Sequence, residues 1–156
     1  MKKIFLSLLL VLCVTGCGNE VKGDYKEGTY MGYDYYSDSY GNNYVTTAVI
    51  YVDNSGLIKS CYIDETYNKD DKNTTKKVLG DDYGMKETSA NIGVISGGAE
   101  WYEQIKVIED KVVSEQNLDW VKWQSEDTTK LDSISGVTIS ADSYINALKD
   151  ALEDAK

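Results

Sequence analysis

Apolar positions change their period twice along this chain, and each change marks a different kind of element. Ile4 to Val14 is almost wholly apolar behind the cationic start Met1-Lys2-Lys3. That run is shorter than the roughly 20 residues needed to cross a bilayer, and it fits the core of a secretory signal. Gly28 to Tyr35 then alternates aromatic residues with small or polar ones. Tyr44 to Val52 is a β-branched and aromatic run that predicts a strong strand. Ser37 to Asn43 reads as the turn between them, and Asp53-Asn54-Ser55-Gly56 as a hairpin turn into a third strand over Leu57 to Thr66. Lys69 to Asp82 is polar and acidic, and it reads as a loop with a helical turn.

Beyond residue 98 the spacing becomes helical. Trp101, Ile105, Ile108 and Val112 recur at three and four residues, predicting a helix from near Gly98, with Ser96 as a cap, to near Gln116. A segment with Trp120 and Trp123 follows. A last helix is predicted from Ser140, an N-cap residue type, with Ala141, Tyr144, Ile145, Leu148 and Leu152 on one face. Strands first and helices second predict an α+β domain, with a mostly antiparallel sheet from the N-terminal half packed by helices from the C-terminal half.

Composition narrows the chemistry. The chain has 156 residues, 16 cations against 26 acids, a net charge of −10 and no histidine. All the cations are lysine. An anionic chain without arginine is a poor ligand for nucleic acid or for acidic lipid. Lack of histidine excludes serine–histidine triads, histidine-rich zinc sites and imidazole acid–base chemistry. No metal site and no catalytic residue is read from the sequence. Asp70-Asp71 and Asp81-Asp82 miss the calcium-loop spacing and read as a solvated acidic face.

The apolar start ends in Val14-Thr15-Gly16-Cys17, which resembles the lipobox of bacterial lipoproteins. The resemblance implies a signal peptide over residues 1–16. It also implies that Cys17 carries acyl chains and becomes the first mature residue, anchored at the extracytoplasmic face of the cell membrane. Loss of Lys2 and Lys3 takes the charge from −10 to −12. Residues 17–24 form the lipidated cysteine and a short linker, and residues 25–155 the domain. Cys13 leaves with the signal, so Cys61 stands alone and reads as a small apolar side chain.

One stretch carries candidate chemistry. Asp132-Ser133-Ile134-Ser135-Gly136-Val137-Thr138 is a small-residue turn rich in hydroxyls, set just before the last helix. Free amides and the positive end of a helix dipole there suit a phosphate, and Gly136 permits close approach of backbone. The pattern Asp-Ser-x-Ser-Gly-x-Thr ahead of an amphipathic helix resembles the flavinylation motif of the FMN-binding domain family. That family includes small extracytoplasmic lipoproteins and the FMN-bearing subunits of sodium-pumping NADH dehydrogenases. The resemblance implies that Thr138 receives FMN through a phosphoester bond made by a flavin transferase from FAD. Asp132, Ser135 and Gly136 match other motif positions. Val137 departs from the family's usual alanine and adds two methyl groups beside the acceptor. Tyr25 to Tyr30 and Asn54 to Ile58 extend the likeness more loosely.

The resemblance implies a membrane-anchored flavoprotein that transfers electrons, with a membrane quinone or dehydrogenase as donor. It is a carrier more than a self-sufficient enzyme, since no nicotinamide fingerprint is present. Tyr83, Trp101 and Trp120 are candidate neighbours of the flavin ring. Gly93 to Gly98 is a second glycine-rich loop before a helix, without the Gly-Lys-Ser/Thr ending of a phosphate loop. The alternative reading is a lipoprotein that captures a small ligand or carbohydrate on its tyrosine-rich sheet. A third is a structural surface antigen.

Overall fold

The computed structural model describes residues 22–156; the predicted signal, Cys17 and most of the linker lie outside the described residues. β1 (Gly28–Ser37), β2 (Asn43–Val52), β3 (Ile58–Lys69) and β4 (Lys72–Thr75) form one antiparallel sheet in the order 1-2-3-4. The short α1 (Lys76–Leu79), a 3₁₀ turn over 80–83 and α2 (Lys86–Ile92) lead to α3 (Trp101–Glu115) and α4 (Asp142–Asp154). The fold is α+β, strands first, as the pattern predicts. Among the described residues no helix is long and apolar enough to cross a membrane.

Alternation in the strands decides which sheet face is covered. Ala48, Ile50 and Val52 of β2 and Ile58 and Ile63 of β3 are buried under α3 and α4. Each fully buried aliphatic side chain contributes roughly 1.5–3 kcal/mol relative to exposure. α4 crosses β1 so closely that a Cβ on Gly32 would lie 2.2 Å from the Ala147 carbonyl oxygen. Any other residue there would push the helix off the sheet.

Helix side chains also engage single amides of β1 and β3 where no neighbouring strand pairs with them. Asp150 of α4 accepts the Tyr33 amide of β1 at 3.1 Å. On the opposite edge, Glu109 of α3 accepts from Ile63 N at 2.7 Å, while Gln116 accepts from Ile58 N at 2.7 Å and donates to its carbonyl at 2.9 Å. These amides would otherwise lack ladder partners.

Several boundaries move from their predicted places. The stretch read as a loop after Lys69 contains β4, because Asp70 (φ 52°) and Asp71 (φ 60°) make a two-residue hairpin turn. Aspartate tolerates the left-handed region that such a turn requires. α3 starts at Trp101 and is capped by Glu100, whose partner in a capping box is Glu103; Ser96 plays no part. α4 starts at Asp142 after Ala141, which has no side-chain cap bond, so Ser140 is not the N-cap. The folded body also begins before the predicted linker ends: Gly23 N donates to the Ser55 carbonyl at 2.7 Å and Tyr25 N to that of Gly56 at 3.3 Å.

Candidate functional site

The loop carrying Asp132 to Thr138 is tied down at both ends. Leu131 pairs with Trp123 in an isolated β-bridge, and Asp132 N donates to the Lys122 carbonyl at 2.8 Å. Ser133 Oγ accepts from Lys122 N at 3.2 Å. At the far end Ala141 N reaches the Thr129 carbonyl at 2.7 Å. Between these ties Gly136 adopts φ +87°. Its ideal Cβ would touch only Val107 at 3.8 Å, so glycine is needed here for backbone conformation and not for space.

The motif then divides. Asp132 and Ser135 are exposed and Gly136 half-buried, whereas Val137 and Thr138 turn inward, at 4% and 7% exposure. Val137 is part of the hydrophobic core, so its two additional methyl groups are packed there. The Thr138 hydroxyl donates to Gln104 Oε1 at 3.2 Å, and the Thr138 amide donates to the same oxygen at 2.8 Å. Thr138 lies four positions before the first residue of α4. The opening turn of that helix already holds a carboxylate, Asp142, which complements its dipole.

Gln104 is fully buried and ties three segments together. Its Nε2 donates to the Ala99 carbonyl at 3.3 Å and to Ser89 Oγ of α2 at 3.4 Å. Ser89 Oγ accepts in turn from Ala99 N at 3.2 Å. The Gly93 to Gly98 segment is thus the connection between α2 and α3, and its end is what Gln104 grips. Glu100 strengthens the same corner by accepting from the amides of Met85 and Lys86 at 2.8 and 3.0 Å. Pattern reading missed Gln104. The available signal was a polar residue on the apolar stripe of α3, between Trp101 and Ile105.

The proposed ring neighbours each have other partners. Trp101 is buried, donates from Nε1 to Tyr144 Oη at 2.9 Å, and meets that ring edge-on at 5.8 Å. Tyr83 meets Tyr67 edge-on at 5.2 Å. Trp120 donates to the Asn117 carbonyl at 2.8 Å. Trp101, Tyr83 and Tyr44 instead stand 5.3–5.7 Å from the ammonium of Lys76, which pairs with the fully buried Glu65. Tyr36 donates to Glu65 Oε1 at 3.0 Å and Thr46 to Oε2 at 3.3 Å. Burial, followed by the Glu65 charge, pushes the Tyr36 phenol far above its usual range. Burial likewise pushes the Cys61 thiol up to about 12, which makes it a poor nucleophile.

A cleft of about 490 Å³ lies between α1 and α3, lined by Lys77, Gly80, Tyr102, Glu103, Lys106 and Glu109; none of these is a motif residue. At one end of the sheet the β1–β2 and β3–β4 turns enclose another cleft of about 470 Å³, lined by Asn42, Asn43, Tyr44, Tyr67, Asn68, Asp71 and Asn73.

Chemically, Thr138 is held but not activated. The amide oxygen of Gln104 accepts the hydroxyl hydrogen bond and cannot take the proton, so any reaction at Oγ1 needs a base from outside the chain. The motif residues fit a phosphoester only if the side chain leaves Gln104, since an ester oxygen has no hydrogen to donate. The Thr138 amide can keep its own bond to Oε1 when that happens.

No family model matches the chain, and no curated protein matches it. A solution NMR structure of a protein from Clostridium thermocellum is similar, with 31% identity and a TM-score of 0.53 over 84% of this chain and 92% of the other.

Proposed function

Taking as premise that the chain belongs to one family with the Clostridium thermocellum protein, we propose that it is a membrane-anchored extracytoplasmic flavoprotein. In this reading it carries FMN on Thr138 and works in electron transfer. The observation that carries the reading is the Asp132–Thr138 motif, which forms an anchored turn with its glycine in the left-handed region and its threonine against α3. Attachment would join Thr138 Oγ1 to the flavin-bearing phosphorus of FAD. The phosphoanhydride bond breaks, AMP leaves, and the hydroxyl proton passes to a base of the transferase. Once bound, FMN supplies one- and two-electron redox chemistry. The chain supplies the attachment point, and a tether that keeps the group from being lost outside the cell. The partners in this reading are a flavin transferase and a membrane quinone or dehydrogenase.

Intact mass after co-expression with a flavin transferase tests this. The wild-type chain is expected to gain one FMN unit and to keep it through denaturation, and Thr138→Ala is expected to gain none. A wild-type chain of unmodified mass and without yellow colour would overturn the reading.

A second reading is favoured by one feature, the cleft at the sheet end. Two tyrosines with several amides and a carboxylate form the kind of polar, aromatic surface that binds neutral sugars. Under this reading Tyr67→Ala abolishes oligosaccharide binding and Thr138→Ala leaves it unchanged, as measured by calorimetry.

A further inference from the structure

One face of the sheet is covered by α3 and α4, and the other is not. On the open face Met31, Tyr33 and Tyr35 of β1 are 61%, 63% and 60% exposed, and Val45, Tyr51 and Tyr62 stand exposed on β2 and β3. The register sets them in rows: Met31 beside Val49 and Tyr62, Tyr35 beside Val45, and Tyr51 beside Thr29. Isolated apolar residues on a surface are ordinary, but a contiguous patch of this kind calls for an occupant.

Charge separates this face from the rest of the molecule. The chain has 26 acids, yet Asp64 is the one carboxylate at the outward positions of β1, β2 and β3. That carboxylate is already engaged, accepting from Thr75 Oγ1 at 2.7 Å, Lys77 N at 3.1 Å and Tyr62 Oη at 3.1 Å. Tyr62 also lies 3.7 Å from the Lys77 ammonium at the border of the face, and what remains is the rings of Tyr33, Tyr35 and Tyr51 with methionine and valine. Tyrosine of this type is enriched where hydrocarbon meets headgroups, because its body is apolar and its tip is polar.

The length of the tether selects the occupant. Gly23 is bonded to the β2–β3 turn, at the end of the sheet where Tyr51 lies. From Cys17 to Gly23 are six peptide units, a reach of at most about 20 Å. The Met31–Val49–Tyr62 row is about four residues, or roughly 13 Å, along the strands from that turn. We propose that the open sheet face lies against the lipid headgroups, docking the domain flat on a zwitterionic bilayer. The proposal rests on the lipid anchor read at Cys17 and does not depend on flavin. Docking on acidic lipid is expected to be weaker, because the rest of the chain is anionic.

Hydroxyl-radical footprinting of the lipidated wild-type chain in phosphatidylcholine vesicles tests it, with flotation as the control for anchoring. Oxidation of Met31, Tyr33 and Tyr35 is expected to fall several-fold relative to the Cys17→Ala chain in buffer, while Trp123 stays unchanged. Glutamates at two exposed positions, Met31→Glu with Tyr33→Glu, are expected to restore Tyr35 oxidation without loss of flotation. A chain that floats with Met31, Tyr33 and Tyr35 unprotected overturns the docking but leaves the anchor standing. A chain that does not float overturns both. Protection of Met31, Tyr33 and Tyr35 that grows with concentration in the Cys17→Ala chain without vesicles assigns the face to a second copy and overturns the lipid assignment.

Discussion

Two of the clusters of buried polar side chains are built to different standards. Around Glu65 and Lys76 both charges are paired, Tyr36 and Thr46 complete the carboxylate, and three aromatic rings enclose the ammonium. Around Gln104 and Thr138 the groups are neutral, and one amide oxygen serves two donors. A buried charge that loses its partner is left with a desolvation cost that nothing offsets. A neutral hydroxyl that leaves an amide forfeits one net hydrogen bond, about 0.5–1.5 kcal/mol. The first arrangement cannot open without unfolding its surroundings. The second can release its hydroxyl at a modest cost, which is what the flavin reading requires of Thr138.

Breaking the charged pair is expected to have the largest effect. Glu65→Ala should lose about 3–5 kcal/mol in chemical denaturation, and Glu65→Leu with Lys76→Met should recover most of it. If the single variant costs less than 1 kcal/mol, the two sites are not different in kind. Gln104→Ala should come next, at about 1–3 kcal/mol, because it leaves the Thr138 amide and hydroxyl without their acceptor in a buried corner. Under the flavin reading the same variant frees Oγ1, so its rate of modification in the folded state should rise while its stability falls. Gly136→Ala should cost about 1–2 kcal/mol, from the left-handed backbone alone.

The smallest effect at neutral pH sharpens the contrast by titration. Tyr44 is raised to about 12 by burial first and then by its bond to Asp38, and Tyr83 to about 12 by burial and the neighbouring Tyr67. Each phenol is therefore favoured in its neutral form by the fold. The stability this contributes is present below pH 10.0, the unperturbed value, and is lost as pH rises toward about 12. Alkaline melts should show aromatic-shell residues loosening over that window. The Gln104–Thr138 contact has no titrating group and should follow only when the fold does.

Where periodicity and turn chemistry agreed, the fold was legible in the sequence. β2 and α4 lie within two residues of their predicted bounds, and α3 ends at Glu115, beside its predicted end near Gln116. β4 was missed because its four residues, Lys-Asn-Thr-Thr, carry no apolar alternation; Asp70-Asp71 was the usable signal for the turn. The motif was legible as a string, but the burial of Thr138 was not, since its partner sits 34 residues away on α3. Glu65 shows the same limit. An acid at an inward strand position conflicts with the local pattern until a lysine eleven residues later folds back onto it.

The helix side chains that reach β1 and β3 have a consequence for life at high density. With Asp150 on one border and Glu109 and Gln116 on the other, a neighbouring molecule finds those amides of β1 and β3 already satisfied. Under the lipid-anchored reading, copies crowded in two dimensions would find strand-on-strand pairing obstructed at those positions.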